Sequence, residues 1–417
     1  MKETSEVKKE KNTNEQKQKM SPQNRNLLIF ICIFVSFVVI FSSTLGIIMG
    51  VINAKTVVRY ESTRMYEGDV IYLASVFKSS YISYLNKSGV KNVRDSEGFW
   101  SSDSGVEGKT YGDLLRAAFY EYLCGIAVKN SLYLDTKKFG KTEKNEVKAK
   151  VDKKLALLNL DKESFNALYD ETLFEYDDFL SGSYLLTKAD AAFATIYGSD
   201  GTAIASYTDE CEKYLKTYTH VALIFLRTED AYVFDENGQL TYDENNNVIM
   251  RDLTDEERAE REKSAESLRE YIKNAKEGLG NAISPETFEL YMKEKSDTDP
   301  EMMDRGYYFH PNAEITGQFY DVYPEVVKRA FEMEIGEYAE VECSDSVCFI
   351  YRYDVTAGAY ADRTNVFFSD FYSDAADYSF TESIRTLSSE VVFSEKFANI
   401  DIVSIPANSK YVTKSWS

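Results

Sequence analysis

The sequence predicts an α+β chain in which helical segments flank a β-α-β part, the whole standing behind a single transmembrane helix. Three observations predict it. Residues 27–52 hold no charged side chain. Residues 111–216 repeat apolar residues at helical spacing, and so do residues 381–398. Between these two stretches, residues 219–226 form an almost unbroken apolar run of strand length.

The N-terminal elements follow from length and charge. A helix rises about 1.5 Å per residue, so roughly 20 apolar residues cross a bilayer core, and 27–52 is long enough. That length favours a retained span over a signal peptide, whose apolar region is about 7–15 residues. Residues 1–26 hold six Lys and one Arg against four Glu. Such a segment has too little apolar content to offset its ordering entropy, so it reads as a disordered tail, and its Lys excess places it on the cytoplasmic side. Everything after residue 52 is then expected outside the membrane.

Composition excludes one class of partner. The net charge of −21 becomes −24 once the +3 tail is set aside, and a body so acidic offers no basic face to nucleic acid phosphates. Two histidines and scattered cysteines provide no metal-ligand spacing, and no cofactor is expected. Cys343 and Cys348 flank a short loop. A disulfide between them is geometrically conceivable, but two half-buried strand thiols are the preferred reading.

Helical segments fill residues 53–216. Residues 60–85 read as a helix near the membrane, and residues 86–110 as a Ser-, Gly-, Asp- and Asn-rich loop. Helices are expected over 111–134, 142–157, from Asp161, over 174–193 and over 209–216. Residues 217–356 change character. After the strand, Asn237-Gly238 marks a hairpin, and Thr254 followed by Glu257 opens a long helix with a capping box. Residues 357–417 close the chain with a helix over 381–398 and a short arm or strand over 400–405, expected to pack on the helical part.

Strand, long helix, short helix and two further strands occur in that order within residues 219–354. This order, together with the His220-bearing strand, the segment ending Gly306-Tyr307-Tyr308-Phe309 and the run Ala330-Phe331-Glu332-Met333-Glu334-Ile335-Gly336-Glu337, resembles the parvulin fold. An anchored chain with helices on both sides of such a domain is similar to the PrsA and SurA class of extracytoplasmic foldases. Peptidyl-prolyl isomerases of this kind lower a barrier of about 18–20 kcal/mol with an apolar cup and polar groups that favour the twisted amide. The resemblance implies two histidines, an acidic group and a Met/Phe proline cup. His220 matches the first histidine, Asp299 (or Asp297 in the alternative register) the acidic position, and Cys348 stands where the second histidine falls. Val322 and Val326 stand at the cup positions, with Phe319, Tyr320, Tyr323 and Phe309 near enough to supply an aromatic wall.

The eroded site implies a folding factor that binds unfolded or partly folded secreted polypeptides through a helical cradle and a degenerate parvulin-like domain. An active isomerase with a remodelled cup is the alternative within the enzyme class. A structural or assembly protein is the alternative outside it.

Overall fold

The computed structural model describes residues 55–407 apart from 237–239, 246, 279–282, 298–305 and 363. The predicted tail, the predicted span at 27–52 and the Asn237-Gly238 turn lie outside the described residues. Among the described residues no helix is long and apolar enough to cross a membrane. The described chain is mixed α+β.

The first helical core is closed by both ends of the described chain. Strands β1 (Thr56–Tyr60) and β2 (Thr63–Tyr66) form an antiparallel hairpin, and β9 (Val392–Phe393) pairs with the other edge of β1. Helix α1 (Glu67–Lys87) follows at once, its N-terminus held by Asp69, which accepts from the Tyr66 N–H at 2.8 Å. Helix α2 (Tyr111–Thr136) starts at a reciprocal cap between Thr110 and Asp113. Helix α4 (Tyr176–Tyr197) packs beside it, and α3 (Lys141–Leu157) packs on α4. Leu115, Phe119, Leu123, Phe165, Phe174 and Phe179 fill the interior, joined from the C-terminal side by Val391, Ile402 and Ile405. Each such ring or aliphatic side chain contributes about 1.5–3 kcal/mol on leaving water. One polar tie crosses this core, where Asn130 donates to Ile126 O at 2.8 Å and Leu185 O at 2.9 Å, binding α2 to α4.

Three segments differ from the sequence reading. Residues 60–85 were expected to be helical throughout, but the hairpin occupies residues 56–66. Its two-residue turn places Glu61 at φ 44°, a conformation usually held by Gly or Asn, so the usual turn signal is absent. The C-terminal helix is α9 (Phe371–Leu387), earlier in the chain than the expected 381–398. A 3-10 turn over Ser388–Glu390 follows it, and Val392–Phe393 then pair with β1. Residues 400–405 form a turn closed by Asp401, whose side chain accepts from the Val403 N–H at 3.2 Å, and no strand.

The second unit is an antiparallel sheet ordered β6-β3-β8-β7. Its strands are β3 (Thr219–Arg227), β6 (Tyr307–Phe309), β7 (Tyr338–Glu342) and β8 (Ser346–Tyr353). Both faces are covered, which explains the unbroken apolar run of β3. Ala222, Ile224 and Leu226 face α6 (Asp255–Glu277) and α7 (Pro285–Lys295), packing on Leu268, Phe288 and Met292. Val221, Leu223 and Phe225 face α8 (Pro324–Glu332), packing on Val326, Val327 and Ala330. Helix α6 begins at the Thr254–Glu257 capping box. A two-stranded arm, β4 (Asp230–Tyr232) with β5 (Met250–Asp252), leaves the end of β3. Arg227 braces its base through Asp230 at 2.5 Å and Asp345 at 3.0 Å.

An aromatic layer joins the units. Helix α5 (Thr208–Leu215), the turn before α9 and α9 itself bring Tyr214, Phe368 and Phe371 against Tyr218 at the entry to β3, and Tyr308 of β6 belongs to the same cluster. Cys124, Cys211, Cys343 and Cys348 are all free thiols. Cys343 closes the β7–β8 turn on Ser346 O at 2.9 Å, whereas Cys348 is paired with Val341. The two thiols are therefore diagonal and not directly opposite.

One lysine on α4 gives the helical core a pH signature. Lys188 lies with its ammonium 5.7 Å from the Phe139 ring, and burial, reinforced by Lys144 and opposed by Asp69, pushes its pKa down to about 8. Below pH 8 both folded and unfolded chains hold this proton, and the cost of burying the charge is fully felt. Between 8 and the ordinary value of 10.5 the unfolded chain keeps a proton that the folded chain has released, so this group's contribution to stability rises with pH. Lys188→Met is therefore expected to raise Tm most below pH 8, with the gain shrinking as pH approaches 10. Scanning calorimetry of both proteins checks this; a gap constant with pH would contradict it.

Candidate functional site

Strand register decides what each prospective catalytic residue meets. Successive side chains on a strand point to opposite faces. His220 is paired with Tyr308 on β6 and with Tyr353 on β8. Its ring stacks on Tyr308 at 4.1 Å with an interplanar angle of 5°, and Tyr353 lies 5.0 Å away on the other side. Gly306 comes up against the imidazole: at φ +66°, any Cβ there would sit 2.8 Å from His220 Nε2. Tyr353 donates its hydroxyl to Glu289, and burial, followed by that carboxylate, pushes its pKa up. His220 is thus the middle rung of a cross-strand aromatic ladder.

Cys348 is paired with Phe225 and not with His220. It is fully buried among Val326, Phe309 and Met333 on the α8 side, and burial holds its thiol well above the ordinary range. His220 shares the alternation of Ala222 and Ile224, whose side chains take the opposite face. His220 and Cys348, at the two positions where the resemblance implies histidines, are therefore not brought together: a five-residue offset on a period of two puts them on different faces, and the imidazole is committed to its tyrosines.

Asp299 lies outside the described residues. Its alternative, Asp297, accepts from the Arg227 N–H at 2.9 Å and pairs with Arg261, while its own N–H donates to Phe225 O at 2.8 Å. It ties down the far end of β3, seven residues from His220, or about 23 Å along a strand.

The prospective cup residues separate as well. Val326 is fully buried beneath the sheet, whereas Val322 is half exposed on a short helix, Gln318–Val322. Phe319 packs at a tilt against Phe309 at 4.9 Å and Tyr307 at 5.2 Å, and Tyr323 packs on Phe225 at 4.9 Å. Tyr323 also donates to Asp345 at 3.3 Å, and burial pushes its phenol up to about 12. Cys348, Val326, Phe309, Phe319 and Tyr323 thus come together in one cluster on the α8 face. They come together as packing of rings and aliphatic side chains between the sheet and α8. His310 lies in the loop after β6 between Tyr214 and Tyr218, where burial lowers its pKa.

An open apolar site lies elsewhere. Between α2 and α9 there is a cavity of about 760 Å³, lined by Tyr120, Tyr122, Cys124, Ile126, Lys129 and Ile384. Its walls are mainly apolar with a charged rim, and its size falls within the roughly 300–1,000 Å³ typical of ligand sites. The apolar stripe that the spacing predicts on α2 already holds Tyr122, and Ile126 continues it; Tyr120 and Cys124 lie off that stripe and are the signal for this second face. Among the described residues no group of three or more His, Cys, Asp or Glu side chains is placed to hold a metal ion.

No family model and no curated protein matches the sequence. Among solved structures, the chain is similar to PrsA from Bacillus subtilis at 15% identity and a TM-score of 0.21, covering 70% of this chain and 92% of that one. The peptidylprolyl isomerase PrsA from Bacillus cereus is 15% identical with a TM-score of 0.20, over 71% of this chain and 93% of that one. The foldase protein PrsA from Streptococcus pneumoniae is 11% identical with a TM-score of 0.18, over 86% and 100%. The similarity is distant, and at these scores it does not establish a shared overall fold.

Proposed function

We propose that the chain is a membrane-anchored extracytoplasmic folding factor that holds unfolded or partly folded secreted polypeptides, its sheet unit acting as scaffold and surface and not as an isomerase. One contrast carries this reading. The implied catalytic and cup residues are packed apart or filled in, while the helical core leaves an apolar cavity of about 760 Å³ open between α2 and α9. Such a cavity takes apolar side chains of many kinds, as varied clients require. The uncharged stretch 27–52 and the Lys-rich residues before it support the anchor and its orientation. The acidic body supports solubility in a cation-rich envelope space and argues against nucleic acid.

The test is light scattering from a reduced, unfolded secreted enzyme diluted into buffer with the purified full-length chain. Suppression of aggregation near equimolar ratio is expected, and Ile384→Asp in the cavity wall is expected to weaken it several-fold. Unchanged aggregation, with one stoichiometric partner captured instead, would favour the structural or assembly role.

A further inference from the structure

A second cavity, of about 800 Å³, lies at the N-terminal end of α2, bounded by Lys78, Asp95, Trp100, Thr110 and Arg116 and by the chain's own Val403. Lys78 belongs to α1 and is 1% exposed. Its ammonium donates to Val403 O at 2.7 Å and Ile405 O at 2.8 Å, and it pairs with Asp95 at 2.5 Å beside the Trp100 ring. Ser75, one turn earlier on α1, donates to Pro406 O at 2.7 Å. Asp95 also accepts from Trp100 Nε1 at 2.9 Å and from the Ala407 N–H at 2.7 Å. Four hydrogen bonds thus run from three side chains to residues 403–407, and every one of them ends on a main-chain atom.

Main-chain recognition is indifferent to sequence, so selection falls to shape. Ile402 and Ile405, three residues apart, are 4% and 3% exposed in the core. The carbonyl of Ile405 belongs to the bond that precedes Pro406, and a proline there brings no N–H to satisfy. Gly112 makes the close approach possible: a Cβ at that position would lie 3.3 Å from Val403 Cγ2 and 2.9 Å from Trp100 O. The one ionic contact to a side chain of the segment, Arg116 with Asp401 at 3.6 Å, is between half-exposed groups and is worth little.

We infer that this groove is a peptide site for segments of the pattern apolar-x-x-apolar-Pro, and that residues 402–407 are its occupant in cis, exchangeable for the same pattern in a client. The client as the incoming ligand rests on the polypeptide-holding function proposed above; the groove and its occupant rest on the contacts alone. The cavity beside the segment leaves an incoming chain room to approach before residues 402–407 depart.

The test uses the full-length chain and a fluorescein-labelled peptide of residues 401–407, Asp-Ile-Val-Ser-Ile-Pro-Ala, read by fluorescence anisotropy. Ile402→Ala/Ile405→Ala loosens the cis segment and leaves Ser75, Lys78 and Asp95 in place, so it is expected to bind the peptide at least tenfold more tightly than wild type. Adding Lys78→Met is expected to remove that binding. A folded double variant whose residues 402–407 exchange hydrogen freely, yet which does not bind the peptide, would overturn the inference. Should the variant fail to fold, hydrogen exchange of the wild type decides: excess peptide is expected to speed exchange at 402–407, and an unchanged rate would overturn the proposal. Aggregation suppression, read in parallel, reports the holding function separately. Suppression without peptide binding sinks the groove alone.

Discussion

Asp95→Ala is expected to lower the stability of the helical core by about 3–5 kcal/mol, the range for removing one partner of a buried ion pair. Lys78 is 1% exposed, and Asp95, with its side chain 28% exposed, is the only carboxylate among the described residues in ion-pair contact with it. Burial already pushes the Lys78 pKa down, and Asp95 is the first of the opposing influences. Without that carboxylate the ammonium keeps main-chain carbonyls and the Trp100 ring but no counter-charge in ion-pair contact, and Trp100 Nε1 and the Ala407 N–H lose their acceptor. The effect therefore reaches the C-terminal segment as well as α1. Urea unfolding followed through Trp100 fluorescence measures it. Lys78→Met/Asp95→Ala, which removes both charges, is expected to recover part of the loss, because the cost lies mainly in the stranded ammonium. A single-variant loss below about 1 kcal/mol would contradict the assignment.

Phe349→Ala is expected to cost about 3–5 kcal/mol, the range for deleting a fully buried ring. Phe349 is fully buried on the central strand β8, paired with Ile224 and packed in the cluster that holds Leu268, Phe288 and Met292. The helices on that face are joined to the sheet largely through such side chains, so they are not free to collapse into the space left behind. Denaturant unfolding of the variant provides the number, and a loss under about 1.5 kcal/mol would mean that α6 and α7 repack freely.

Local signals made much of the helical part legible. Residues 111–134 were read as a helix from one apolar stripe, and α2 spans Tyr111–Thr136. The Thr254–Glu257 capping box announced α6, and the apolar run at 219–226 announced β3. What escaped depends on distant partners. The β1–β2 turn carries Glu61 at positive φ where Gly or Asn would have flagged it. β9 is two residues long and exists because β1 offers it an edge. The site failed to read for the same reason. His220 and Cys348 look like counterparts along the chain, but their faces are set by a register that one residue's slip would reverse. That register is fixed by Tyr308 and Tyr353, far along the sequence, and no local pattern reports it. The Lys78 site is similarly hidden, because its ligands are backbone atoms, and a sequence does not display those.

The aromatic ladder around His220 bears on whether the proposed folding factor holds its clients or isomerises them. The most direct measurement is the rate constant of a proline-limited refolding reaction, followed with and without the full-length chain and its His220→Ala variant. The expected result is an unchanged rate constant with both proteins, accompanied by less aggregation of the refolding substrate. A rate that rises with the concentration of the chain, and loses that rise in His220→Ala, would contradict the account and make the sheet unit an isomerase.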